Sequence, residues 1–207
     1  MISGLWGAYV FNINDLNDEF IKHGGIMKTS ELKAAGLNSR QLLGLLENHI
    51  ISKIKTGYYE IVGMTIPDEV LIAKLFPTAV IYLESALMHY GYTDRIPSAW
   101  QIAVDKNISK PQFKISYPPI MPFFLNKKFI NIGLSEFEVN KVKIRIYDKE
   151  RTICDVLRYA NKLDREVFTN AIQRYVKDKD RNIQRLMDYA KKLRITQKVK
   201  TYVGVWL

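Results

Sequence analysis

Residues 24–61 read GGIMKTSELKAAGLNSRQLLGLLENHIISKIKTGYYEI, and this stretch decides how the whole chain is read. Thr29 or Ser30 is placed to cap a short helix over 31–35 that stops at Gly36, and Asn38-Ser39 caps a second over 40–48. Two short helices joined by Ala-Gly-Leu-Asn form a helix-turn-helix pattern. Leu32, Leu37, Leu42, Leu45 and Leu46 supply the inner faces, leaving Ser39, Arg40, Gln41, Gly44 and Asn48 on the outer side of the second helix. Residues 50–55 and 58–62 are β-prone runs around Thr56-Gly57, which predicts a hairpin, the wing of a winged helix-turn-helix. Upstream, Asn14 precedes Leu16, Phe20 and Ile21 at helical spacing, giving a first helix that ends at His23-Gly24-Gly25.

Such an arrangement is suited to duplex recognition. A recognition helix puts its N-terminal residues into the major groove, where Arg40 can donate to guanine and Gln41 can bridge adenine; Lys28, Lys53, Lys55 and Tyr58 are then placed for phosphates. The alternative is a protein-docking module in which Arg40 and Gln41 are ordinary solvated side chains. Local charge is modest, since residues 27–58 carry five cations against Glu31 and Glu47. One module alone would therefore have a shallow salt dependence, and pairing of a monomer on two half-sites would offset this.

Working outward, Pro67-Asp68-Glu69 starts a connector helix that Pro77 ends, and residues 82–91 read as a buried helix with Gly91 at its C-cap. Strands are expected at 100–104, 113–115, 130–134 and 142–147, with the proline-rich 117–124 extended. Asp148 caps a helix over 149–163 with Ile153, Val156, Leu157, Ala160 and Leu163 on one side. At about 100° per residue, Arg151, Arg158 and Lys162 form a basic ridge on the opposite side, muted by Asp155 between them. Asp164 caps the next helix, another starts near Asp180, and a last one covers 197–202 before the tail 204–207. The expected fold class is α+β: a winged helix-turn-helix over 14–63, a connector helix within 64–78, and a C-terminal domain over 79–207 with a small, mostly antiparallel sheet and a basic helical bundle. Residues 1–13 are read as an N-terminal extension.

The 207 residues are 47% hydrophobic, enough for a packed core, and carry 31 Lys+Arg against 21 Asp+Glu, a formal charge of +10. Residues 1–65 and 66–140 are each balanced, so the whole surplus lies in 141–207, where 18 basic residues face 8 acidic ones. A field of one sign favours an acidic partner such as nucleic acid. No apolar run spans a bilayer and no signal peptide begins the chain, so a soluble, cytoplasmic protein with no membrane partner is expected. The single cysteine, Cys154, excludes an internal disulfide framework and reads as a buried thiol. His23, His49 and His89 lack metal-ligand spacing, so neither a metal nor a cofactor is expected. Asp148, Glu150 and Asp155 resemble the acidic cluster of a metal-dependent nuclease, but helix capping and arginine pairing explain them more cheaply. The chain is therefore read as a binding protein, not an enzyme. The alternatives are a winged-helix-guided metal-dependent nuclease and a plain winged-helix transcription regulator with a ligand or partner domain.

The stretch at 24–61, then YLESALMHYGYTDRIPSAWQIAV at 82–104, then IRIYDKERTICDVLRYANKLDREVFTNAIQRYV at 144–176, in this order, resemble the AbiEi-type antitoxins of bacterial type IV abortive-infection toxin-antitoxin systems. The ERTICD segment at 150–155 is the most specific part, and the likeness extends over nearly the whole chain from Asn14. The resemblance implies a phage-defence antitoxin that represses its own operon by binding promoter inverted repeats and counteracts a nucleotidyltransferase-type toxin. Antagonism need not involve a stable complex. Carried onto this chain, the DNA-facing positions are Lys28, Thr29, Ser39, Arg40, Gln41, Lys53, Lys55 and Tyr58. The basic partner or antitoxicity surface comprises Arg145, Arg151, Arg158, Lys162, Arg165, Arg174 and Arg185.

Overall fold

The computed structural model describes residues 13–204, so the tail 205–207 and all but the last residue of the extension expected at 1–13 lie outside the described residues. The chain is α+β and divides into two compact units, residues 1–75 and 76–207.

In the first unit the order is α1 (Ile13–Lys22), β1 (Ile26–Lys28), α2 (Thr29–Ala34), α3 (Ser39–Glu47), β2 (Ile51–Lys55), β3 (Tyr58–Ile61) and α4 (Asp68–Leu75). The three strands form an antiparallel sheet in the order β1-β3-β2, so the expected hairpin gains a third strand too short to show a periodicity. Period-two alternation sorts the sheet's side chains. Met27 and Tyr59, paired across strands, turn into a core with Leu16, Phe20, Leu32, Leu37 and Ile51, while Lys28 and Lys55 flank Tyr58 in the neighbouring row. Asn38 caps α3 as expected, accepting from the Gln41 amide at 2.9 Å.

The second unit has a five-stranded sheet in the order β6-β5-β4-β8-β7, made of β4 (Val80–Ile81), β5 (Trp100–Asp105), β6 (Ile120–Leu125), β7 (Leu134–Val139) and β8 (Val142–Tyr147). The expectation of a mostly antiparallel sheet is corrected to a mixed one: β4-β5 and β7-β8 are antiparallel, β4-β8 and β5-β6 parallel. The two-residue β4 is what joins the halves, and it is too short for alternation to reveal. Residues 110–113 form a 3-10 turn where a strand was expected at 113–115, with Pro111 in its first turn. The strand expected at 130–134 is the end of α6 (Lys127–Ile130) and a turn; Gly133, at φ +74°, then admits β7. Pro122 survives inside β6 because β6 is an edge. The Pro119 carbonyl accepts from Trp100 at the start of β5, and the Leu125 carbonyl from Lys106 just past its end. By alternation the proline, with no N–H to offer, faces the open side, where it also discourages pairing with another chain.

Helices α5 (Leu83–His89), α7 (Lys149–Arg158), α8 (Arg165–Lys177), α9 (Ile183–Leu193) and α10 (Thr196–Tyr202) complete the unit. Gly91, at φ +67°, closes α5 as expected: the Tyr92 amide reaches back to the Leu87 carbonyl at 2.8 Å. Helix α7 is the centre of packing, touching α5, α8, α9 and α10. Its Ile153, Val156 and Leu157 are fully buried, each contributing roughly 1.5–3 kcal/mol. It stops at Arg158, short of the 163 expected. Among the described residues no helix is long and apolar enough to cross a membrane.

Candidate functional site

The candidate site in the first unit is built on α3 and the strands beside it. Leu42, Leu45 and Leu46 pack against the core, holding α3 with Ser39, Arg40, Leu43 and Glu47 exposed. Arg40 makes no hydrogen bond or ion pair among the described residues, so its guanidinium is available to a partner. Gln41 is different. Its side-chain oxygen accepts the Asn38 backbone N–H at 2.9 Å, while the Asn38 side chain accepts the Gln41 amide, a reciprocal capping box. The bridge to adenine expected of Gln41 needs that same oxygen, so it competes with the cap.

The three-stranded sheet, whose β2 packs against α3, places a cationic row. Lys28 Nζ lies 5.8 Å and Lys55 Nζ 4.7 Å from the centre of the Tyr58 ring between them. Lys28 and Lys53 are exposed. Lys55 is half-buried and donates through Nζ to the Leu75 carbonyl, the last residue of α4, at 2.5 Å. Burial first, and then Lys28, push its pKa down. Thr29 gives its backbone N–H to Gly57 in the hairpin turn at 3.0 Å, and its hydroxyl is 3.5 Å from the same carbonyl, which ties α2 to the turn and leaves Thr29 half-buried. Of the eight expected DNA-facing residues, Lys28, Ser39, Arg40 and Lys53 are thus exposed, while Thr29, Gln41, Lys55 and Tyr58 are partly engaged within the unit.

In the second unit the expected basic surface is not one ridge. Arg151 is corrected to a core residue: it is fully buried, with Nε 2.7 Å from Asp155 and Nη1 donating to the Phe129 and Ile132 carbonyls at 2.7 and 2.6 Å. Its guanidinium lies 4.2 Å from the Tyr147 ring centre. The reason is tertiary, since the segment around α6 covers the side of α7 that its own pattern leaves polar. Arg158 pairs with the other oxygen of Asp155 at 3.1 Å. Arg174 is held by Asp94 and the Gly91 carbonyl, Arg145 by the Thr78 carbonyl, and Arg185 lies 3.8 Å from Glu150. Lys162 and Arg165 are exposed. Lys162, over the Tyr159 ring, lines a groove of about 760 Å³ with Phe123, Phe124 and the Arg95–Asp164 pair.

The three carboxylates weighed as nuclease ligands are all engaged in the fold. Asp148 caps α7 through the Arg151 amide and accepts from Tyr189; Glu150 accepts the Asn182 amide at 2.8 Å; Asp155 takes both arginines. Among the described residues no group of three or more His, Cys, Asp or Glu side chains is arranged to hold a metal ion. Cys154 is buried, and burial pushes its thiol pKa up. Leu43, which the sequence reading assigned to neither face of α3, is 55% exposed.

Neither models of protein families nor curated protein sequences give a match to this chain. Among solved structures, the crystal structure of the RV2827C protein from Mycobacterium tuberculosis is similar, with a TM-score of 0.64 and 14% identity over 93% of this chain and 76% of that one. At that identity the likeness is one of fold.

Proposed function

We propose that this protein is a sequence-specific double-stranded DNA-binding repressor, with its first unit a winged helix-turn-helix and α3 the recognition helix. The observation that carries the reading is the outer face of α3, where Arg40 is exposed with no protein partner among the described residues, in a unit whose sheet bears Lys28, Lys53 and Lys55. The element order α1-β1-α2-α3-β2-β3 supports the winged-helix assignment, since it supplies a helix pair followed directly by a hairpin. The resemblance to AbiEi-type antitoxins supports a further step: the DNA is the promoter of the protein's own operon, read as inverted repeats by monomers that pair on it. The second unit then antagonises a nucleotidyltransferase-type toxin, with Lys162 and Arg165 the most available of its expected cations and its helices the basic bundle.

Footprinting of full-length protein on the region upstream of its own gene tests the DNA half. Protection of a repeat is expected, weakened with loss of its guanine preference in Arg40→Ala, and weakened without change of sequence preference in Lys28→Ala, which lowers the slope of log affinity against log salt by about 1. Binding that is indifferent to Arg40 overturns the choice of recognition helix. Co-expression with the neighbouring gene tests the antitoxin half: growth arrest by that product, relieved by this protein, is expected, and unrelieved arrest overturns it.

A further inference from the structure

On the reading of α3 as a recognition helix, we infer that Leu43 reads the 5-methyl group of a thymine, so that Arg40 and Leu43 together specify neighbouring guanine and thymine positions in the operator half-site. Four leucines lie on α3, and the structure separates them: Leu42, Leu45 and Leu46 pack on the core of the first unit, whereas Leu43 is 55% exposed. At about 100° and 1.5 Å per residue, Leu43 sits about 60° around and 4.5 Å along the axis from Arg40, on the same outer stripe. With the 60° turn the two Cβ atoms lie about 5–6 Å apart, between one and two base steps of roughly 3.4 Å, so the two side chains address neighbouring pairs one or two steps apart.

The other polar groups on this turn leave the apolar contact with a distinct part. Gln41 has its amide oxygen committed to the Asn38 N–H, which removes half of the two-point contact that recognises adenine. Arg40 retains its full fork for guanine O6 and N7. A branched aliphatic side chain in the major groove has one complementary feature there, the thymine methyl, the only apolar group the base edges display. Charge complementarity favours the duplex as occupant of this face. Arg40 is exposed on it and Lys53 is exposed on β2, the strand packed against α3, while Lys28 is exposed on β1 of the same sheet, where Glu31 accepts the Lys28 amide at 2.7 Å.

The probe is a pool of random-sequence duplexes enriched on the full-length protein, followed by replacement of each thymine in the selected duplex by deoxyuridine, which deletes the methyl alone. One thymine per half-site, one or two pairs from a guanine, is expected to respond, with affinity falling about fourfold, the worth of one buried methyl. Leu43→Ala keeps a strong helix former in α3 and should bind the thymine and uracil duplexes equally. Circular dichroism matching the parent shows that the helix is intact. An Arg40→Ala protein should keep the uracil effect while losing the guanine preference. Selection without any enrichment overturns the DNA-binding reading and this inference with it. Enrichment in which no thymine is sensitive to uracil, or in which the sensitivity persists in Leu43→Ala, overturns the role of Leu43 and leaves DNA binding standing.

Discussion

Arg151→Ala removes one charge from a chain of net charge +10, and its cost separates two accounts of α7. On a solvated ridge the change would fall within about 0.5 kcal/mol. In the structure the guanidinium is fully buried and serves Asp155, two backbone carbonyls and the Tyr147 ring face. Breaking a buried ion pair costs about 3–5 kcal/mol, and Asp155 keeps Arg158, which puts this pair at the low end. The Phe129 and Ile132 carbonyls each lose a donor, at about 1–3 kcal/mol apiece, less what solvent entering the vacated space returns. A net loss of about 4 kcal/mol follows, a large part of the 5–15 kcal/mol typical of a domain. Urea denaturation of the full chain, with hydrogen exchange of the α7 amides to assign the transition to the second unit, reads this as a midpoint lowered by about 2 M. Arg151→Lys keeps a charge for Asp155 but has no fork for two carbonyls, and should fall between the parent and alanine. A shift below about 0.3 M in Arg151→Ala, with α7 exchange unchanged, would refute the reasoning.

Three other outcomes are expected. Gly133→Ala forces a side chain onto φ +74° and brings its Cβ within 2.4 Å of the Arg151 Cβ; a loss above about 2 kcal/mol in the same denaturation assay is expected, and near-parental stability would contradict the packing of α6 on α7. Asp178 is held down at about 2 because, against burial, it accepts hydrogen bonds from Lys149 at 2.7 Å and from Tyr92. Its folded pKa lies below the unfolded one, so its contribution is complete above about pH 4 and lost as pH falls toward 2; the stability difference between parent and Asp178→Asn should vanish over that window. In α3, Gln41→Glu retains an acceptor for the Asn38 amide and adds an anion to the first turn, so the first unit should be unchanged or stabilised by about 0.5 kcal/mol in thermal melts while duplex binding weakens; a Gln41→Glu protein less stable than Gln41→Ala would dispose of the capping role.

Much local chemistry was legible in the sequence, although Thr29 and Ser30, expected to cap α2, lie inside it, with Lys28 at its N-cap. Asn38, Asp148 and Asp164 each cap the helix that follows, because a short side-chain acceptor before a periodic run has few better uses. Thr56-Gly57 turns the hairpin, and Gly91 closes α5. What failed is what depends on the far chain. Besides β5, β4 pairs with β8, more than sixty residues away, and a two-residue strand carries no period to announce it. The strand sought at 130–134 was displaced to 134–139 because Asn126 caps a helix turn first, accepting from Lys128 at 3.2 Å. In the candidate site, Arg40 and Lys28 could be read from position alone. The commitment of Gln41 to its cap was written in the Asn-x-x-Gln spacing of a capping box, whereas the exposure of Leu43 needed the core to be seen.

The same distinction revises what the positive charge means. A surplus confined to 141–207 reads as a continuous basic field only if its cations face solvent with no local counter-charge. Arg151 does not face solvent at all, and Arg158, Arg174 and Arg185 are answered by Asp155, Asp94 and Glu150. Two of those acids, Asp155 and Glu150, are themselves buried, so these pairs persist where salt would screen an exposed one. Lys162 and Arg165, with Lys192, Arg194 and Lys200, are exposed with no such carboxylate on them among the described residues. An acidic partner of the second unit should therefore lose affinity on neutralising Lys162 and Arg165, and hardly at all on neutralising Arg185. Loss on neutralising Arg151 would report unfolding, which the exchange of α7 would register in the absence of any partner.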